Sequence, residues 1–126
     1  MAMTQELAQR IVQEIQDKMA ETSRQLHMVR AQLGARDREK RVAELTIKEL
    51  SAVGPGVSAY RAVGKMFIQE PLEGLVKELD TRKTECEREA KNFERAAGKL
   101  ERDLTDTQNT WKDIMHHNRS QAGPAE

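Results

Sequence analysis

Residues 57–69 read Val-Ser-Ala-Tyr-Arg-Ala-Val-Gly-Lys-Met-Phe-Ile-Gln. Only 3% of the chain is aromatic, yet this stretch holds Tyr60 and Phe67 among Val and Ile, with Gly64 near its middle. Valine, isoleucine and aromatic side chains suit a pleated strand, and Gly64 is the residue there that takes positive φ cheaply. The stretch therefore reads as a β-hairpin turning near Gly64, with arms of five or six residues. By the two-residue period of a strand, Met66 and Ile68 point one way and Phe67 the other, so both faces carry apolar bulk. A lone two-stranded hairpin is marginal in water and has two unpaired edges. The flanking sequence offers no further strand, so the hairpin requires strands from other chains.

Outward from the hairpin the sequence is helical. From Thr4 to Leu45 there is no proline, and Gly34 is the only glycine. Ala8, Val12, Ile15, Met19, Thr22, Leu26, Val29 and Leu33 alternate steps of four and three, the spacing that turns one helix stripe toward a partner helix. Beyond Leu33 the stripe meets Arg36 and Lys40 within Arg-Asp-Arg-Glu-Lys-Arg, which predicts that the helices diverge and the charges become a solvated face. Thr46-Ile47-Lys48-Glu49 has the form of a capping box and predicts a separate short helix over 46–53, stopped by Gly54-Pro55-Gly56. Pro71 suits the first turn of a second long helix. That helix is expected to run to about His117, with a disordered tail over 118–126.

Val76, Leu79, Lys83, Cys86, Ala90, Phe93, Ala97, Leu100, Leu104, Thr107, Trp111 and Ile114 keep the same alternation. The hairpin reverses the chain, so the helices are expected to run antiparallel, each about 60 Å long at about 1.5 Å per residue. The fold class is mainly α: a long antiparallel two-helix coiled coil, joined by a short helix and one β-hairpin, in a single domain. Antiparallel pairing is expected to set Met19 near Ala97, Leu26 near Ala90, and Trp111 near Leu7 and Ala8. Met3, Leu7 and Ile11 recur every four residues on a ridge that drifts off the seam, and Trp111, Ile114 and Met115 belong to the same end. Two readings fit this ridge: an end that frays or pairs differently, or an uncovered apolar patch of the kind that marks a binding site.

Composition narrows the function classes. A third of the residues are charged and the formal net charge is zero, the profile of long solvated helices, without the basic footprint of a nucleic-acid binder. No apolar run reaches the roughly 18 residues of a membrane span, and the first residues have no signal-peptide pattern. The single cysteine, Cys86, fits a reducing, cytoplasmic setting and reads as a small buried seam residue. His116 and His117 are adjacent, so on a helix they do not converge as an i,i+4 metal pair would. Exposed acidic pairs without a pocket have no means of shifting their acidity. No cofactor, metal site or enzyme chemistry is expected.

The order long helix, Leu45-Thr46-Ile47-Lys48-Glu49-Leu50, then Ala59-Tyr60-Arg61-Ala62-Val63-Gly64-Lys65-Met66-Phe67-Ile68, then long helix resembles the β-type subunits of prefoldin, the eukaryotic subunit-one type in particular. Lys65, where the family pattern has arginine, and the Gly-Pro-Gly loop depart from that pattern. The resemblance implies a subunit of a hexameric, ATP-independent co-chaperone made of two α-type and four β-type chains. It implies that Tyr60, Val63, Gly64, Met66, Phe67 and Ile68 join the other subunits' hairpins in a β-barrel. It also implies that the free ends of the arms hold unfolded clients, chiefly actin and tubulin, and deliver them to the cytosolic chaperonin. Met3, Leu7, Ile11, Trp111, Ile114 and Met115 are the candidate client contacts, on the strength of the apolar ridge. The alternative from another class is a coiled-coil scaffold or spacer, which would have no use for a strand pair apolar on both faces.

Overall fold

The computed structural model describes residues 4–54 and 56–122. The elements are α1 (Gln5–Ala52), β1 (Ala59–Val63), β2 (Met66–Glu70) and α2 (Leu72–Ala122). Their contacts form two compact units, one made of residues 1–30 and 94–126, the other of residues 31–93.

In the first unit α1 starts at a threonine cap. Thr4 Oγ1 accepts from the Leu7 amide at 3.1 Å, and the Thr4 carbonyl accepts from the Ala8 amide at 2.9 Å. The Leu7 amide, a donor that the first turn would leave unpaired, is thereby satisfied, and the Ala8 bond is the first of the helix ladder. Thr22 and Leu26 of α1 and Ala97 and Thr107 of α2 are buried, all on the four-three stripes. Their neighbours Ala8, Val12, Ile15, Met19 and Val29, with Leu100, Leu104, Trp111 and Ile114, are partly covered. Buried Thr107 donates its hydroxyl to the Asp103 carbonyl one turn back at 2.8 Å, so its polar atom adds no unpaired donor to the seam.

One cross-helix bond fixes the register of this unit: Arg30 Nη2 donates to Glu101 Oε1 at 2.7 Å. Pairing Leu26 with Ala90, as expected, would set Arg30 opposite Cys86, fifteen residues from Glu101, and Ala90 belongs to the other unit. The expectation failed because stripe spacing specifies which face is apolar, while many sliding registers satisfy it equally. The helix α2 also continues to Ala122, so residues 118–122, expected in a disordered tail, are helical; residues 123–126 lie outside the described residues.

In the second unit the helices stay together where divergence was expected. Arg36 meets Glu89 at 3.3 Å, Lys40 meets Glu87 at 3.5 Å, Lys83 meets Glu44 at 3.8 Å and Arg82 meets Glu39 at 2.6 Å. From Arg36–Glu89 through Lys40–Glu87 to Glu44–Lys83 the α2 number falls as the α1 number rises, which makes the pair antiparallel here. Seam cations are tolerated because each finds a carboxylate on the facing helix while its aliphatic stem covers apolar surface. Among the described residues the arrangement has one defect: Arg36 Nε is buried without a partner.

Cys86 is the most buried side chain in the chain's core, 1% exposed, and its thiol lies 3.3 Å from Glu39 Oε2. Burial, and then the Glu39 carboxylate, push this thiol above its ordinary value.

The short helix expected over 46–53 does not exist as a separate element, because α1 runs unbroken to Ala52. Thr46 is mid-helix and donates its hydroxyl to the Val42 carbonyl at 2.8 Å. The capping-box letters were misleading because nothing before Thr46 stops a helix. Ala43, Ile47 and Leu50 instead extend the seam stripe, and all three are buried or partly covered. The chain leaves α1 through Gly54 and Gly56, at φ of 81° and 90°.

Candidate functional site

The hairpin β1–β2 is antiparallel, with Ala59 opposite Glu70, Tyr60 opposite Gln69, Arg61 opposite Ile68, Ala62 opposite Phe67 and Val63 opposite Met66. Gly64 and Lys65 make the two-residue turn. Gly64 has φ of 61° and, among the described residues, no non-glycine residue has positive φ, the φ signs of a type II′ turn, whose twist matches that of the flanking strands. A Cβ on Gly64 would meet nothing within 4 Å. The requirement for glycine is therefore one of backbone conformation and not of space.

Directly opposite residues share a face, which gives two sets. One face holds Ala59, Arg61, Val63, Met66, Ile68 and Glu70; the other holds Tyr60, Ala62, Phe67 and Gln69. On the first face Arg61 Nε donates to Glu70 Oε1 at 2.8 Å and Arg61 Nη2 to Glu70 Oε2 at 3.1 Å, while Nη2 also bonds Glu78 of α2. One guanidinium thus ties both strands to the helix. The Arg61 hydrogen bond holds the Glu70 carboxyl below the usual carboxylate range, and the two glutamates hold Arg61 above its own. Beside this triad lies a shallow cleft lined by Leu50, Tyr60, Arg61, Leu75 and Leu79.

The apolar side chains of the hairpin are largely uncovered. Phe67 is 73% exposed, Met66 65% and Tyr60 59%, with Val63 and Ile68 also exposed. Full burial of one such side chain contributes about 1.5–3 kcal/mol, so five of them at roughly half exposure leave several kcal/mol of burial unrealised in the lone chain. The sheet has two strands, β1 beside β2, so each strand keeps one edge of backbone donors and acceptors for another strand. Tyr60, Val63, Gly64, Met66, Phe67 and Ile68 are therefore brought together on one small, sticky, edge-open element.

The ridge residues belong to the other unit. Leu7 and Met115 are exposed, Ile11, Trp111 and Ile114 are partly covered, and Met3 lies outside the described residues. Two features were missed from sequence. The Arg61 triad had a readable signal, since a turn at Gly64 pairs Arg61 with Ile68 and puts Glu70 on the adjacent diagonal. Val42 and Leu45 are exposed on α1, outside the seam stripe, and no sequence pattern singled them out.

Residues 13–118 match the family model described as prefoldin subunit. The chain is similar to the probable prefoldin subunit 1 of Schizosaccharomyces pombe, 33% identical over 72 residues that span 57% of this chain and 64% of that protein. It is also similar to the probable prefoldin subunit 1 of Dictyostelium discoideum, 24% identical over 81% of this chain and 89% of that one. Among solved structures, the prefoldin beta subunit from Thermococcus strain KS-1 shares the fold with a TM-score of 0.53, at 19% identity, over 90% of this chain and 94% of that chain.

Proposed function

This chain belongs to the prefoldin subunit family, a family of chaperones, and from that premise we propose that it is one β-type subunit of a heterohexameric, ATP-independent holdase of the cytoplasm. Its partners are two α-type and three further β-type subunits, joined through their hairpins in a shared β-barrel. The observation that carries the reading is the hairpin itself: five exposed apolar side chains on a two-stranded sheet with both outer edges open. Other strands would satisfy the edges and cover both faces at once.

Client capture follows from the other unit. Leu7 and Met115, with the partly covered Ile11, Trp111 and Ile114, and with Met3, form the candidate surface for unfolded chains. Flexible methionines and a large aromatic suit adaptable apolar contacts, and several arms acting together supply affinity that one arm lacks. The clients of this reading are actin and tubulin, and the destination is the cytosolic chaperonin. No step calls for a cofactor or for catalysis.

Replacing Phe67 with Asp puts a charge into the barrel and is expected to abolish incorporation into the larger complex while the isolated chain stays helical. Normal incorporation by size exclusion overturns the assembly role. Removing residues 1–11 and 111–126 is expected to leave assembly intact and to weaken protection of denatured actin against aggregation. Unchanged light scattering would make those ends ordinary helix termini.

A further inference from the structure

A hairpin that must meet other hairpins has to be offered at one angle. Turn chemistry sets the strand pairing, but it does not set how the strand pair sits against the helix that follows. Between β2 and α2 stands only Pro71, and the loop before β1 contains two glycines at positive φ, so the connections leave freedom on one side. Among the described residues the side chains of the hairpin bond from Gln69 to Ser58, just before β1, and from Arg61. Among the described residues, therefore, the side-chain polar link from the hairpin to a long helix is the bond from Arg61 to Glu78.

We propose that Arg61 is a positioning residue for assembly: held by Glu70 and Glu78, it fixes the angle of the hairpin against α2 and so pre-organises the sheet for its partners. The inference rests on the assembly reading above. Its physical basis is the geometry of one planar donor fork. Two parallel bonds to Glu70 orient the guanidinium plane, and the shared Nη2 then points at the helix. Lysine has no such fork and would act as a point charge. Ala59, Arg61 and Glu70, the residues of this face nearest the strand bases, are partly covered, whereas Ala62 and Phe67 on the opposite face are exposed. The triad thereby commits the base of one face to the subunit's own helix and leaves the Ala62–Phe67 pair open. Ordering a binding element before the encounter removes part of the ordering cost from binding.

The test uses the full chain with the partner subunits that co-purify with it. Hydrogen exchange of the hairpin amides is first measured in the free chain. Arg61→Gln is expected to speed exchange over 59–70 by about threefold, the scale of losing partly exposed ion pairs, with helical content unchanged. Its apparent affinity for the partner subunits is expected to fall by a similar factor. Arg61→Lys is expected to recover little of either. The exchanged triad Arg61→Glu with Glu78→Arg keeps one guanidinium facing two carboxylates and is expected to restore both readouts. Wild-type exchange and wild-type assembly in Arg61→Gln overturn the proposal, and so does a defect that the exchanged triad leaves in place. Phe67→Asp separates the two ideas. If it blocks assembly while Arg61→Gln does not, only the positioning role falls; if it assembles normally, the assembly reading falls, and the exchange data still decide whether Arg61 holds the hairpin.

Discussion

Replacing Arg36 with Leu asks whether the charges in the seam stabilise this fold or only specify it. Arg36 occupies the stripe position between Leu33 and Lys40, and its side chain is 22% exposed. Its Nη1 meets Glu89 at 3.3 Å and Glu39 at 3.5 Å, while Nε is buried with no partner. An unpaired buried donor costs about 1–3 kcal/mol. The partly exposed pair with Glu89 contributes roughly 0–1 kcal/mol, and Glu89, itself 36% exposed, can return its carboxylate to water. The aliphatic stem of Arg36 already covers apolar surface, so exchanging it for Leu is near even in that term. The balance favours the variant by about 1 kcal/mol, in line with other ion pairs replaced by apolar residues. At a urea slope of about 2 kcal/mol per molar, the unfolding midpoint, followed by circular dichroism at 222 nm, is expected to rise by about 0.5 M. Urea is the denaturant of choice because guanidinium would screen the charges under test. A midpoint that falls would refute the reasoning and show that the Arg36 pairs outweigh the stranded donor.

Leu26 is 5% exposed and Met28, two residues on, is 54% exposed. Leu26→Ala is therefore expected to cost about 2–3 kcal/mol, the lower part of the range for core truncations, and Met28→Ala less than about 0.5 kcal/mol; equal urea midpoints would sink the seam assignment. The lowered Glu70 carboxyl predicts an acid response of the hairpin. A carboxylate whose acidity is strengthened by folding contributes stability that is present above its unfolded value and lost as the pH falls through its folded value. Hairpin amide protection, corrected for intrinsic exchange, is thus expected to hold at neutral pH and to decline below about pH 4.5, the ordinary value for Glu. No decline in acid would mean that the Arg61–Glu70 bond does not hold the strands.

Much of the fold was legible because it rests on short-range patterns. The four-three alternation from Ala8 to Leu33 and from Val76 to Ile114 determined two helices and the face that each buries, since side chains three and four apart share a stripe. Gly64 among β-formers determined the hairpin and its turn. The same features carried the family resemblance, and the residues proposed for assembly all lie within the hairpin stretch. The scarcity of apolar residues outside the stripes also determined that no ordinary core could form.

What the sequence left open depended on the second partner in each contact. Arg36 and Lys40 read as the end of the seam because a charge at such a position is costly alone; only the facing Glu89 and Glu87 make it tolerable. Thr46 and Glu49 spell a capping box, but a cap needs a non-helical residue at its head, and the stripe through Ala43, Ile47 and Leu50 keeps that backbone helical. The register of the helices was undetermined because a repeating stripe matches itself at many offsets, and the Arg30–Glu101 bond selects among them. Helix, strand and turn are settled by neighbours along the chain, so the sequence by itself determined them. Register and the pairing of seam charges are settled by side chains dozens of residues apart, and the link from Arg61 to α2 by residues 17 apart, so only the tertiary structure decided those.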